Sequence, residues 1–168
     1  MRGRGNSLRV RSGAAITAAL LLTLLLAAPA ASAPAAVRVS PVEKAFVRAV
    51  NRVRAARRLA PVRLDPRLER AARAHTAEML AQRFFAHGAV VRRLESFGVA
   101  GPRIGETLGW HTPSADAVRV VIRLWLRSPE HRAVLLRRGF VRVGVGTDVG
   151  EFEGYSNTLV VTADFAGR

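Results

Sequence analysis

The chain has 168 residues, with 27 Lys+Arg against 12 Asp+Glu for a formal charge of +15, 49% hydrophobic residues and no cysteine. That length suits one compact domain plus an appendage and excludes an enzyme built as an eightfold β/α barrel. The missing cysteine excludes a disulfide framework, thiolate zinc sites, a cysteine nucleophile and a lipidated N-terminal cysteine, and the hydrophobic fraction excludes a disordered chain.

Arg2, Arg4, Arg9 and Arg11 precede an uncharged stretch from Ser12 to Val37. A basic segment leading into an apolar run, Ala14 to Ala28, and then into Ala30, Ala31, Ser32 and Ala33 is the layout of an export signal. Residues 1–33 are expected to be removed, with the cut between 30 and 35; residues 34–39 then form a short tether and residues 40–168 the folded domain. Pro29 and Pro34 interrupt the run, which favours cleavage over a retained membrane anchor. The expected product is secreted, without a stable membrane span. Losing four of the 27 cations lowers its charge from +15 to +11.

Ser40-Pro41-Val42-Glu43 reads as a capping box with proline at the first helical position. Val42, Phe46, Ala49, Val50 and Val53 follow at helical spacing, so a helix is expected to about Arg58. Asp65-Pro66 opens a second helix with the stripe Leu68, Ala72, His75 and Met79, ending around Phe85 to Gly88. Val90 to Phe97 adds a helical turn or two.

Beyond Gly98 the period changes. Ile104, Glu106, Leu108 and Trp110 alternate with Gly105, Thr107 and Gly109 as in a strand, which places one carboxylate on a face with three apolar side chains. Ser114 is read as the cap of a helix carrying Val118, Val121, Ile122 and Trp125 on one stripe, and Ser128-Pro129 as the start of a short one. Val141, Val143 and Val145 then alternate with Arg142, Gly144 and Gly146. Leu159, Val161, Ala163 and Phe165 repeat the pattern after a loop holding Asp148, Glu151 and Glu153, which predicts a hairpin. Gly144 and Gly146 precede no helix and form no phosphate loop; on one strand face they let a helix approach closely. The order of elements predicts an α+β fold with helices packed on an antiparallel sheet.

The chemistry rests on four histidines and twelve acids. His75 sits in the buried stripe of the second helix, where its spacing to Glu78 is too weak a motif for a metal site, and His111 falls in a solvated loop. His87 and His131 stand at opposite ends of predicted helices. The helix fields there push the first imidazole toward the charged form and the second toward the neutral one, which supplies an acid and a base. Alternatively both are neutral and ligate a divalent cation such as zinc, with Glu106 as a third ligand and Ser128 and Glu130 supporting His131. A third alternative is a buried hydrogen-bond network that only joins loops. Glu106 and His131 are the catalytic candidates. In every case a carboxylate on an apolar strand face requires a cationic partner or a proton.

Several segments together resemble the CAP superfamily, the cysteine-rich secretory, antigen 5 and pathogenesis-related proteins. They are Asn51-Arg52-Val53-Arg54, Leu64 to Leu68, Ala71-Ala72, His75 to Met79, Phe84-Phe85-Ala86-His87, Gly105-Glu106, Trp125 to Arg132, Val143 to Gly146 and Asp164-Phe165. Their order is that of the cysteine-free bacterial branch, and the likeness covers Val42 to Phe165. The resemblance implies an exported α-β-α sandwich with a central antiparallel sheet and a cleft gathering His87, His131 and Glu106. A second glutamate found in animal and plant members is replaced here by Leu126-Arg127-Ser128, with Glu130 as its substitute, and Thr107 replaces the usual asparagine. Members of the superfamily have been linked to divalent cations, lipid or sterol binding and proteolysis. The function expected is a non-enzymatic extracellular binding module; the alternatives are a metal-dependent, peptidase-like hydrolase using Glu106 as base, or a lipid-binding protein.

Of the cations only Lys44 is a lysine. The arginines are scattered over every predicted helix without aromatic interleaving, so no nucleic-acid partner is expected. The charge instead suits lipid headgroups or anionic cell-envelope polymers by screened long-range attraction.

Overall fold

The computed structural model describes residues 38–167. The predicted export segment and most of the tether lie outside the described residues. The elements in chain order are α1 (Pro41–Ala55), β1 (Arg63–Leu64), α2 (Pro66–Gln82), α3 (Val90–Ser96), β2 (Arg103–His111), α4 (Ala117–Arg127), α5 (Pro129–Leu135), β3 (Phe140–Phe152) and β4 (Tyr155–Gly167).

Three helices begin where their caps place them. Ser40 and Glu43 exchange side-chain-to-backbone hydrogen bonds at α1, the Asp65 carboxylate accepts from the N–H groups of Arg67 and Leu68 at α2, and the Ser128 hydroxyl accepts from His131 N–H at α5. These bonds satisfy donors that the first helical turn leaves open. At α4 the N-cap residue is Asp116 rather than Ser114, whose hydroxyl instead donates to the Asp116 carboxylate at 2.8 Å. The ends come earlier than the periodicity predicts. α1 stops at Ala55 and α2 at Gln82, because Arg58 and Arg83, each with φ 54°, take left-handed backbone. The segment from Phe84 to Ala89 is therefore loop.

The sheet order is β1-β3-β4-β2, with the β2–β4 and β3–β4 pairs antiparallel. β1 adds a two-residue parallel pairing to β3, too short and exposed to leave a periodic trace in the sequence. β3 and β4 are each 13 residues long and turn at Glu153-Gly154, with φ of 51° and 78°. That is the backbone of a two-residue hairpin turn with both φ positive. Asp148 and Glu151, expected in a loop, are therefore strand residues.

Alternation along β4 divides the core. Leu159, Val161, Ala163 and Phe165 pack with Phe46, Val121, Trp125 and Leu135 of α1, α4 and α5. Val160 and Ala166 face the opposite layer, which holds Leu68, Ala71 and Met79 of α2 and Leu94 of α3. The result is the α-β-α sandwich, with α2 lying unusually close to β3. A Cβ placed on Gly144 would stand 2.0 Å from the Leu68 carbonyl carbon, and one on Gly146 2.3 Å from Arg73 N. Buried Arg54 joins α1 to the end of α5 by donating to the carbonyls of Leu135 at 2.8 Å, Arg137 at 3.2 Å and Phe140 at 3.2 Å. Among the described residues no helix is long and apolar enough to cross a membrane.

Gly146→Ala is expected to force α2 off the sheet and to cost about 3 kcal/mol, the upper end for overpacking. Urea unfolding checks this, and a midpoint equal to that of the wild type contradicts the close approach.

Candidate functional site

β2 is an edge strand, so side chains from both helical layers can meet around it. Its pleat turns Ile104, Leu108 and Trp110 toward the α2–α3 layer. Gly105 and Gly109 on the other face admit Phe140 and Val134, and Val121 and Trp125. Glu106 belongs to the first set and is buried.

Glu106 lies directly opposite Asp164 of β4, which is fully buried. Two carboxylates facing each other across a ladder repel, and burial raises the cost of charging either. Arg93 of α3 stands between them. Its Nη2 donates to Glu106 Oε2 and lies 3.4 Å from Asp164 Oδ1, and its Nη1 donates to the carbonyl of His87 at 3.2 Å. The other Glu106 oxygen, Oε1, is 2.7 Å from His87 Nδ1. His131, on the first turn of α5, brings its ring centroid to 6.1 Å from that of His87. The structure thus gathers His87, Glu106 and His131 at one edge of the sheet.

His75 belongs to the same cluster, which its place in the core stripe did not reveal. It is buried, with Nε2 3.0 Å from the Ala86 carbonyl oxygen and 3.9 Å from Glu106 Oε2. His111 lies apart from this cluster, with Nδ1 2.6 Å from the carbonyl oxygen of Thr112, and lines the groove that opens beside His131. Ser128 caps α5 and donates to Glu130 at 3.0 Å, so Glu130 is an exposed partner of the cap. Sequence reasoning missed Arg93 altogether and noted Asp164 only as part of a resemblance. The available trace was the buried carboxylate on β2, which demanded a cation without saying which one.

The protonation pattern follows from burial and from Arg93. Burial pushes Glu106 up to about 7 despite the pull of Arg93. Burial, and then the Glu106 charge, raise Asp164 well above the usual carboxylate range. Burial and the neighbouring carboxylate thus favour the protonated form of Asp164. His87 is lowered by burial and then by Arg93, and His131 by burial and then by His87. His87 is therefore not pushed toward the charged form as expected: burial lowers it, Arg93 adds a positive charge beside it, and α2 ends at Gln82, short of His87. Neutral His87 donates from Nδ1 to Glu106, which leaves Nε2 as an acceptor.

Next to His131 opens a groove of about 490 Å³, lined by Phe85, Leu108, Trp110, Leu124 and Trp125 and reaching Ser128. The Trp125 indole donates to the Leu108 carbonyl at 2.6 Å, which fixes one wall. Among the described residues no group of three or more His, Asp or Glu side chains is arranged to hold a metal ion. Both Glu106 oxygens are engaged, and a guanidinium occupies the space between the carboxylates. Around these two carboxylates the residues present do not fit a resident divalent cation.

The profile of the cysteine-rich secretory protein family matches residues 47–165. The uncharacterized protein YkwD of Bacillus subtilis is 32% identical over 122 residues, which is 68% of this chain and 45% of that protein. The chain thus spans less than half the length of this relative. An extracellular protein of Bacillus anthracis containing an SCP domain superposes with a TM-score of 0.61 at 21% identity, over 75% of this chain and 40% of that one. An outer surface protein of Borrelia burgdorferi does so at 0.64 and 16% identity, over 79% of this chain and 97% of that one. At such identities these structures speak to the fold.

Because the folded-state value of Glu106 is about 7 against an ordinary 4.5, the folded protein holds an extra proton between those limits. That contribution to stability is present at low pH and is lost as pH rises through about 7. The melting temperature of the wild type minus that of Glu106→Gln should therefore fall from pH 5 to pH 8; a constant difference contradicts the assignment. By NMR, the imidazoles of His87 and His131 should titrate below the ordinary 6.5, and midpoints above it would remove the neutral pair.

Proposed function

The chain belongs to the cysteine-rich secretory protein family, and on that premise we propose that it is a non-enzymatic binding domain, exported by its N-terminal segment, whose groove takes an amphipathic ligand. The observation that carries this reading is the apolar groove of about 490 Å³ ending at His131, whose ring centroid lies 6.1 Å from that of His87. Trp110, Trp125 and Leu124 offer surface to an apolar chain or ring. The two neutral imidazoles accept hydrogen bonds from a hydroxyl or amine at its polar end. Such a ligand lies along the groove and stops at the cleft.

The hydrolase alternative is less well supplied. A general base must be free to take a proton from water, yet Glu106 is held by His87 on one oxygen and Arg93 on the other. Export is supported by the N-terminal pattern and accords with similar structures described as extracellular or outer-surface proteins. The arginine-rich surface of the exported product, whose net charge is +11 once four cations are lost from +15, would hold the domain near anionic envelope polymers.

The chain contains two tryptophans, Trp110 and Trp125, and both line the groove. Energy transfer from tryptophan to a dansylated undecanol, whose hydroxyl can donate to the imidazoles, therefore reports occupancy directly. Saturable transfer is expected, with affinity at least about tenfold weaker, roughly 1.4 kcal/mol, in Leu124→Glu. Absence of saturable transfer, or equal binding by the variant, contradicts the groove as the site. Peptide or ester turnover that Glu106→Gln abolishes would establish the hydrolase instead.

A further inference from the structure

We propose that Arg93 is the resident cation of this cleft and that its guanidinium excludes divalent metal ions from the Glu106–Asp164 pair. The inference rests on the carboxylate cluster and holds whatever the groove binds. A cation joining these two strands would meet Glu106 Oε2 and Asp164 Oδ1, both of which already face Nη2 of Arg93, the second at 3.4 Å, and would find only Asp164 Oδ2 without a partner. The guanidinium is not a mobile surface group. Its side chain is 13% exposed, its Nη1 is tied to the His87 carbonyl, and its helix is docked by fully buried Leu94. A divalent ion entering beside it would meet a permanent positive charge that no accessible pH removes.

The balance of charge fits a monocation. Glu106 and Asp164 share a single arginine, and Asp164 Oδ2 is buried with no hydrogen-bond partner. That orphaned oxygen is reasonable on a carboxyl group that keeps its proton and costly on a doubly charged pair waiting for a metal. The planar fork of arginine also spans two acceptors on neighbouring strands and a carbonyl on a loop at once, which a spherical ion would do only with more donors than the cluster offers. Arg93 is thus a positioning residue: it holds His87 in place through the backbone carbonyl and the shared Glu106 carboxylate.

Cobalt(II) titration of tag-free protein, followed by visible absorption, tests the exclusion. Arg93→Ala should bind one equivalent at least tenfold more tightly than the wild type, and Asp164→Asn in that background should abolish the gain; Arg93→Lys, which keeps the charge, should behave as the wild type. A folded Arg93→Ala protein with no gain overturns the proposal. So does a wild type that takes up one equivalent as tightly as the variant. Should Arg93→Ala fail to fold, Arg93→Gln replaces it, and zinc titration of the wild type followed through the side-chain carboxyl resonances of Glu106 and Asp164 decides independently: no saturable shift is expected, and a saturable one overturns the exclusion.

Discussion

Two carboxyl groups set opposite each other on neighbouring strands, both buried beneath helices, form an arrangement a protein tolerates only with compensation. Glu106 and Asp164 are in that position through the register of β2 with β4. Much of the cleft follows from the two compensations the structure makes. Arg93 inserts between them, which requires α3 to dock against the sheet. Asp164 keeps a proton. Burial, and then Arg93, lower the affinity of nearby His75 and His87 for protons, which favours neutral His87 as the donor to Glu106. The polarity of the cleft is a consequence of the constraint underneath it.

The family takes its name from cysteines that this chain lacks, so the sandwich is held by other means. Gly144 and Gly146 let the α2 backbone rest on β3, which brings Leu68, Ala71 and Met79 into contact with the sheet layer. Arg54 satisfies three carbonyls at the end of α5 and before β3, and Asn51 exchanges two hydrogen bonds with the backbone of Val62, each of 2.9 Å. These polar ties fix the connections that disulfides pin in small secreted domains. The edge position of β2 matters equally. A central strand would keep the α2–α3 loop and α5 on separate sides, whereas an edge lets His87 and His131 meet around it.

The sequence showed what is governed by local chemistry. Ser40, Asp65 and Ser128 begin their helices because each offers an oxygen to the first turn, and such capping can be read without tertiary information. The alternation in β2 likewise placed Glu106 on an apolar face and required a counter-charge. Helix ends were less legible, since Arg58 and Arg83 take left-handed backbone that nothing in their side chains announces. Arg93 was hidden for a different reason: in a chain where 27 residues are Lys or Arg and only Lys44 is lysine, a functional arginine resembles the solvated ones, and only the fold tells which is buried. His75 was correctly read as a core residue, yet its contact with Glu106 depends on how α2 crosses the sheet. The pairing of Glu106 with Asp164 depends on a register between strands more than fifty residues apart.

The central claim is that Arg93 and the buried carboxylates act as one unit, and a double-mutant cycle on folding stability measures this most directly. Arg93→Met, Glu106→Gln and the double variant would be unfolded in urea at a pH above 7, where Glu106 is charged. A coupling energy of about 2 kcal/mol is expected, since removing the arginine from an intact carboxylate pair leaves a buried charge that Glu106→Gln no longer presents. Effects that add to within about 0.3 kcal/mol would mean that the two residues do not depend on each other, and the account of the cleft would fail.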